Sequence, residues 1–252
     1  MRRFLSILAL LCLPAVSGCG GSGSVEEPPL RPEWRGIITR ALRQAEIDSA
    51  TLSAGGFHAV GTMTVEFGRD GGRVRIDDRF RLLKDAGAQF RTEPVEHRVS
   101  GDTALLDDMY TFKTSRGDAR SPERAEMGGI SFGADFPAIL RAMLAGGENG
   151  CTLRDSAAVV SGRPALLFSF AADGRHGSFT IGRDSCDLLA LVMEQESSFV
   201  IGGYTYRMAT EFGRTAGGLL LPLRTLSRFE YSRLSSDGTG SISVSLDSVR
   251  LR

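Results

Sequence analysis

The sequence predicts a mainly β protein with some α: a strongly curved antiparallel sheet, a half-barrel, with an N-terminal helix and a second, inserted helix on the concave side. Three observations predict it. Apolar and polar residues alternate through many short segments, the period-two pattern of half-buried strands. Turn signals rich in Gly, Asp and Ser separate those segments at short spacing, as in one antiparallel sheet. Two stretches, 32–45 and 137–145, carry helical spacing instead. A sheet of about ten strands must curl or split, and helices laid on one face of the curl leave a lined concavity.

The chain begins with Met1-Arg2-Arg3, an apolar run from Phe4 to Val16, and the small residues Val16-Ser17-Gly18 before Cys19. A basic start, a short apolar core and small residues at a cut site make an export signal over residues 1–18. The apolar run is shorter than the roughly 20 residues a bilayer span needs. With its cysteine, the run resembles the lipobox of bacterial lipoproteins. That resemblance implies that Cys19 is lipidated on sulfur and becomes the mature N-terminus. It implies a cell-envelope, membrane-anchored protein. Gly20 stands where a retention aspartate would, so in a host with two membranes the outer one is expected, facing the periplasm. Residues 19–32 form a tether, flexible through Gly20–Ser24 and stiffer through Glu26-Glu27-Pro28-Pro29. A single domain is expected over 33–252.

The first helix, 32–45, starts on Pro32, which suits a first turn. Trp34, Ile37, Ile38, Ala41, Leu42 and Ala45 recur at spacings of three and four, giving one face to bury. From Phe57 the period falls to two. Phe57, Ala59, Gly61, Met63, Val65 and Phe67 share one face, and Arg69-Asp70-Gly71-Gly72 signals a hairpin. Val74, Ile76, Phe80 and Leu82 continue the apolar face against a stripe of Arg73, Arg75, Asp77, Arg79 and Arg81. The acidic residue in the stripe favours a solvated sheet face over a phosphate or nucleic-acid patch. Asp78 interrupts the apolar face, and the pattern supplies no reason for it. Strands are expected at 89–93, 97–100 and 103–114, then a polar loop to Glu126.

Residues 127–150 interrupt the strands. Phe132, Phe136, Ile139, Leu140 and Met143 lie on one side of a short helix with Asp135 as N-cap and Gly146-Gly147 as stop. They are the candidate ligand-binding residues, as a lid over a bound ligand or, equally, a fixed plug of the core. Strands follow at 152–160, 164–171, 177–181, 188–199, 205–215, 221–231 and 241–251.

Thirty Lys+Arg balance thirty Asp+Glu, which gives no support for a nucleic-acid partner. Of four cysteines, Cys12 leaves with the signal and Cys19 takes lipid. Cys151 and Cys186 remain, and an exported pair is expected to form a disulfide; a metal or catalytic role is the alternative. His58, His97 and His176 stand in no metal-ligand spacing, so no metal and no cofactor is expected. There is no Gly-x-Ser-x-Gly elbow and no phosphate loop. Asp77-Asp78 and Asp107-Asp108 are adjacent on strands and so point to opposite faces. These residues point away from an enzyme.

The layout is similar to the bacterial lipoprotein-localisation carriers LolA and LolB. The resemblance rests on Gly203-Tyr204-Thr205-Tyr206 leading to Phe212-Gly213-Arg214, on Gly218-Leu219-Leu220-Leu221-Pro222 opening the next strand, and on the Ser161-Gly162-Arg163-Pro164 turn. It implies a curved sheet whose cavity holds acyl chains. No Arg-Pro-Gly run stands where that family has one, so no lipoprotein-contacting arginine is assigned. The expected partners are the membrane, through Cys19, and a lipid or lipoprotein acyl chain, with the protein a monomer. The alternative is a structural or interaction lipoprotein whose core is filled by its own side chains.

Overall fold

In the computed structural model the described residues are 32–86, 91–106, 141, 151–172, 175–199, 202–233 and 236–251. They form helix α1 (Pro32–Ala54) and ten strands: β1 (Phe57–Arg69), β2 (Gly72–Lys84), β3 (Arg91–Gly101), β4 (Cys151–Val160), β5 (Arg163–Ala172), β6 (Arg175–Gly182), β7 (Leu188–Phe199), β8 (Gly202–Arg214), β9 (Leu220–Arg233) and β10 (Ser236–Leu251). All pairings are antiparallel, in the order β3-β2-β1-β10-β9-β8-β7-β6-β5-β4. The fold class expected from the alternation is the one observed: an open antiparallel sheet with an N-terminal helix on one face.

Turn chemistry sets the hairpins. Arg69 pairs with Gly72 across Asp70 and Gly71, whose φ values are +50° and +84°. Two left-handed residues in a two-residue loop match the twist of the flanking strands. Register shifts at Val60/Gly61, Arg79/Phe80, Thr180/Ile181 and Glu211/Phe212 insert bulges that bend the strands.

Helix α1 runs nine residues beyond the expected end at Ala45. Leu52 prolongs the apolar face, but Asp48 occupies a buried position between Ala45 and Leu52 and hides the period. The Asp48 carboxylate accepts from Gln44 Nε2 at 3.1 Å and from the Leu220 N–H at 3.4 Å. The expected strands 89–93 and 97–100 are one strand, β3. Pro94 and the extra residue Val95 sit at its bulge, which an edge strand tolerates. Residues 104–106 form a helical turn instead of opening a strand; Asp102 Oδ1 accepts from the Ala104 N–H at 3.1 Å and starts it.

The core lies between α1 and the inner face of the sheet. Ile37, Ile38, Ala41 and Ala45 pack on Leu166, Phe168, Phe170, Phe179, Ile181, Leu188 and Leu191 of β5 to β7. Leu52, near the helix end, joins a second cluster built on β1, β2 and β10. The outer face carries the expected wet stripe. Arg75 bonds Asp77 at 2.8 and 2.9 Å and Glu66 at 2.6 Å there.

Candidate ligand-binding face

The order of the strands places β3 and β4 at opposite edges of the sheet. The segment joining them therefore links the two edges of the sheet. Its first residues are on the inner face: Leu105 is buried against Phe67 and Val74, and Leu106 packs beside it. It ends at Cys151, buried under α1 in the same cluster as Ile38 and Phe168. Between them Arg141 is helical and bonds Glu46 of α1 at 2.8 Å. All three described points of the segment thus lie on the α1 side. Phe132, Phe136, Ile139, Leu140 and Met143 belong to this segment and lie outside the described residues, as do Cys19 and Asp107-Asp108.

The inner face changes chemistry along its width. Under α1 it is apolar, with Phe168 and Phe179 stacked at 5.0 Å. Across β7, β8 and β9 it carries polar side chains that are nonetheless buried: Gln195, Thr210, Thr225 and Ser227, with the buried Tyr206 among them. Tyr206 OH and Ser227 Oγ are 3.1 Å apart, and Thr210 Oγ1 and Thr225 Oγ1 are 3.2 Å apart. Met193 and Met208 flank this strip, and Phe67 stacks with Phe229 and Tyr231 beyond it at 6.4 and 6.1 Å. Alternation alone hid the strip, because Thr and Ser at inward positions read as breaks in an apolar face.

A charged clamp closes one end. Arg214, at the end of β8, donates from Nε to both oxygens of Asp187 at 3.1 Å and from Nη2 at 2.5 Å. It also bonds the Gly218 carbonyl and stands 4.0 Å from Asp48 of α1. The hydrogen bonds to Asp187 raise the Arg214 pKa above its ordinary value against the opposing effect of burial. The clamp ties α1, the β6–β7 turn and the β8–β9 turn together.

Of the two carboxylate pairs, the described one, Asp77-Asp78, divides between the faces as expected. Asp77 faces outward, and the hydrogen bond from Arg75, then that from Thr64, holds it below the usual carboxylate range. Asp78 faces inward and meets His97 Nδ1 at 2.5 Å, which accounts for a carboxylate in the apolar face. His176 lies 3.4 Å from Glu194. Among the described residues no group of three or more His, Cys, Asp or Glu side chains could hold a metal ion. No helix among them is long and apolar enough to cross a membrane.

The disulfide expectation is corrected: Cys151 and Cys186 are free thiols. Cys151 stands opposite Phe170, and Phe170 opposite Gly177. Cys186 sits at the other end of β6, its N–H bonding the Gly182 carbonyl at 3.0 Å. The stretch from Gly177 to Gly182 spans about 17 Å at roughly 3.3 Å per residue. A disulfide tolerates a Cα separation of only about 7 Å. Cys151 is buried and its thiol is pushed up to about 12; Cys186 Sγ accepts from Arg40 Nε at 3.3 Å.

No protein-family model and no curated protein matches the chain. Among solved structures it is similar to a domain described as an outer membrane lipoprotein-sorting protein from Vibrio parahaemolyticus, at 9% identity and a TM-score of 0.34, covering 85% of this chain and 93% of that one. It is also similar to a DUF1329 family protein from Desulfovibrio piger, at 8% identity and a TM-score of 0.31, covering 85% and 92%.

Proposed function

We propose that this chain is a lipid-anchored protein of the cell envelope that binds a lipid or lipoprotein acyl chain on the inner face of its sheet, as a step in lipid or lipoprotein transport. One observation carries the reading. The segment between β3 and β4 starts at Leu105, passes Arg141 and ends at Cys151, all on the inner side. Three described points of one segment on the apolar face support a covered pocket there, and we take Phe132, Phe136, Ile139, Leu140 and Met143 of that segment as the residues that meet the acyl chain. Cys19 holds the domain at the membrane, where such ligands are found; two or more acyl chains make that attachment stable.

Organic extraction of the purified full-length protein, followed by mass spectrometry, should release non-covalently held acyl lipid. Protein that carries no lipid and takes none up from vesicles of phosphatidylethanolamine and phosphatidylglycerol would overturn the reading and favour a filled core with a structural or interaction role. The anchor is tested separately: Cys19→Ser should move the protein to the soluble fraction or stop its processing.

A further inference from the structure

The exposed side of α1 differs in charge from the outer face of the sheet. On that outer face Arg75 bonds Glu66 and Asp77, and Arg207 bonds Glu194 at 3.0 Å. On α1, Arg35, Arg40 and Arg43 are all exposed, and among the described residues none of them stands in an ion pair. Arg40 donates to the Cys186 sulfur at 3.3 Å, beside the β6–β7 turn. The acids of the helix do not offset the three cations. Glu46 is taken by Arg141 at 2.8 Å, and Asp48 is buried with Gln44, the Leu220 N–H and Arg214 around it. Glu33, in the first turn, is the acid that remains.

Further along, the same side of the helix turns apolar. Ile47 is 52% exposed, and Ala50 and Ala54 are exposed after it. Arg43, Ile47, Ala50 and Ala54 recur at helical spacings of three and four, so they lie on one side. Ile37, Ile38, Ala41 and Ala45 lie on the other, against the sheet. A helix whose free side is basic and then apolar is suited to lie on an anionic bilayer surface. The place of α1 in the chain points the same way. Pro32 follows Cys19 by 13 residues, which reach at most about 45 Å. A lipid on Cys19 therefore makes α1 the first described element that the membrane meets. The chain as a whole is balanced, with 30 Lys+Arg and 30 Asp+Glu, so the basic stripe is a local feature and not a consequence of net charge.

We infer that the exposed side of α1, through Arg35, Arg40, Arg43 and Ile47, docks on the anionic phospholipid headgroups of the membrane that carries the Cys19 anchor. This rests on the anchored part of the proposed function and is independent of acyl binding. The lipidated full-length protein is reconstituted with two sets of vesicles, phosphatidylcholine alone and phosphatidylethanolamine with phosphatidylglycerol, each doped with a headgroup-nitroxide lipid. Flotation reads the anchor. Quenching of Trp34, the only tryptophan of the chain and part of the first turn of α1, reads docking. The protein should float with both sets, and Trp34 should be quenched more on the anionic one. About 0.5 M NaCl should remove that difference, because salt screens exposed charges. Arg35→Gln with Arg43→Gln should lower the ratio of docked to undocked protein by about twenty- to thirtyfold, since each arginine at an anionic surface contributes roughly fivefold. Arg224→Gln with Arg228→Gln removes the same charge from the outer face of β9 and should leave quenching as in the wild type. All four side chains are exposed, where substitution leaves the fold intact. If the protein floats with neither set, anchor and docking fail together; flotation with the anionic set alone would support docking and overturn the anchor. If it floats with both and Trp34 is quenched alike on each, or if the α1 variant keeps the wild-type quenching, lipid docking is overturned while the anchor stands, and an acidic protein becomes the occupant of the stripe to test. Equal losses in the two double variants would overturn it as well, because net charge and not α1 would then set the contact.

Discussion

The inner face is closed in two ways. Under α1, on β5 to β7, closure is apolar: Ile38, Leu166, Phe168 and Ile181 are wholly buried and interlock. Across β7 to β9 the same burial is reached with Gln195, Thr210, Thr225 and Ser227. Burial alone therefore does not fix the chemistry of the face; what is buried differs along its width. An apolar contact is satisfied by any apolar neighbour, whereas a buried amide or hydroxyl demands a partner of defined geometry. The first region should lose much stability when a side chain is truncated, and the second little when both partners of a hydroxyl pair are replaced together.

The largest effect is expected in the first region. Phe168→Ala removes a fully buried ring stacked on Phe179 and should cost about 3–5 kcal/mol, read by urea unfolding. If it costs under about 1 kcal/mol, the contrast with the strip disappears. Next comes the seam between the two regions. Arg214→Met leaves Asp48 and Asp187 without their cation. The Arg214 side chain is 35% exposed, so water reaches part of the clamp. The expected loss is about 2–3 kcal/mol, below that of a fully enclosed pair. Unchanged stability would mean that α1 is held by its apolar face alone.

In the strip the expected stability change is smaller. Replacing both Thr210 and Thr225 by Val removes a hydroxyl pair at nearly constant shape, and removing both partners of a buried bond is close to neutral. A change within about 1 kcal/mol would sharpen the comparison. A loss as large as that of Phe168→Ala would break it.

The smallest effect at neutral pH concerns the thiols. Iodoacetamide should label Cys186 and spare Cys151 until the chain unfolds, since only the thiolate reacts and the buried thiol is pushed up to about 12. Resistance of both thiols that reductant relieves would reinstate the disulfide. The raised value also sets a sign. Below the ordinary thiol range both states are protonated and stability is unaffected. As pH climbs towards 12 the unfolded chain releases its proton first, so stability falls by at most about 1.4 kcal/mol per pH unit. Cys151→Ala should flatten that alkaline limb.

Most strands were legible because inward and outward residues alternate and turns announce themselves. Asp70-Gly71 and Ser161-Gly162 are each left-handed residues between paired strands, and their side chains signal that locally. What was misread has a common cause. The end of α1 was lost because Asp48 is buried against Gln44, Leu220 and Arg214, partners that only folding supplies. Asp78 looked anomalous until His97 was placed opposite it by the β2–β3 register. The strip of Gln195, Thr210 and Thr225 carried no signal at all, since inward polar residues are indistinguishable from interruptions.

The sequence by itself determined the alternation, the hairpin turns and the helix start, because those depend on each residue's own backbone preferences and on neighbours within a few positions. The tertiary structure alone decided which distant groups meet. It set Cys151, at the start of β4, far from Cys186 in the β6–β7 turn, closed Arg214 on Asp187 and brought Gln195 beside Tyr206. The physical reason is that strand order and register are properties of the whole sheet: β1 pairs with β10 although β2 to β9 lie between them in the chain. A one-residue change in register would turn every one of these side chains to the other face.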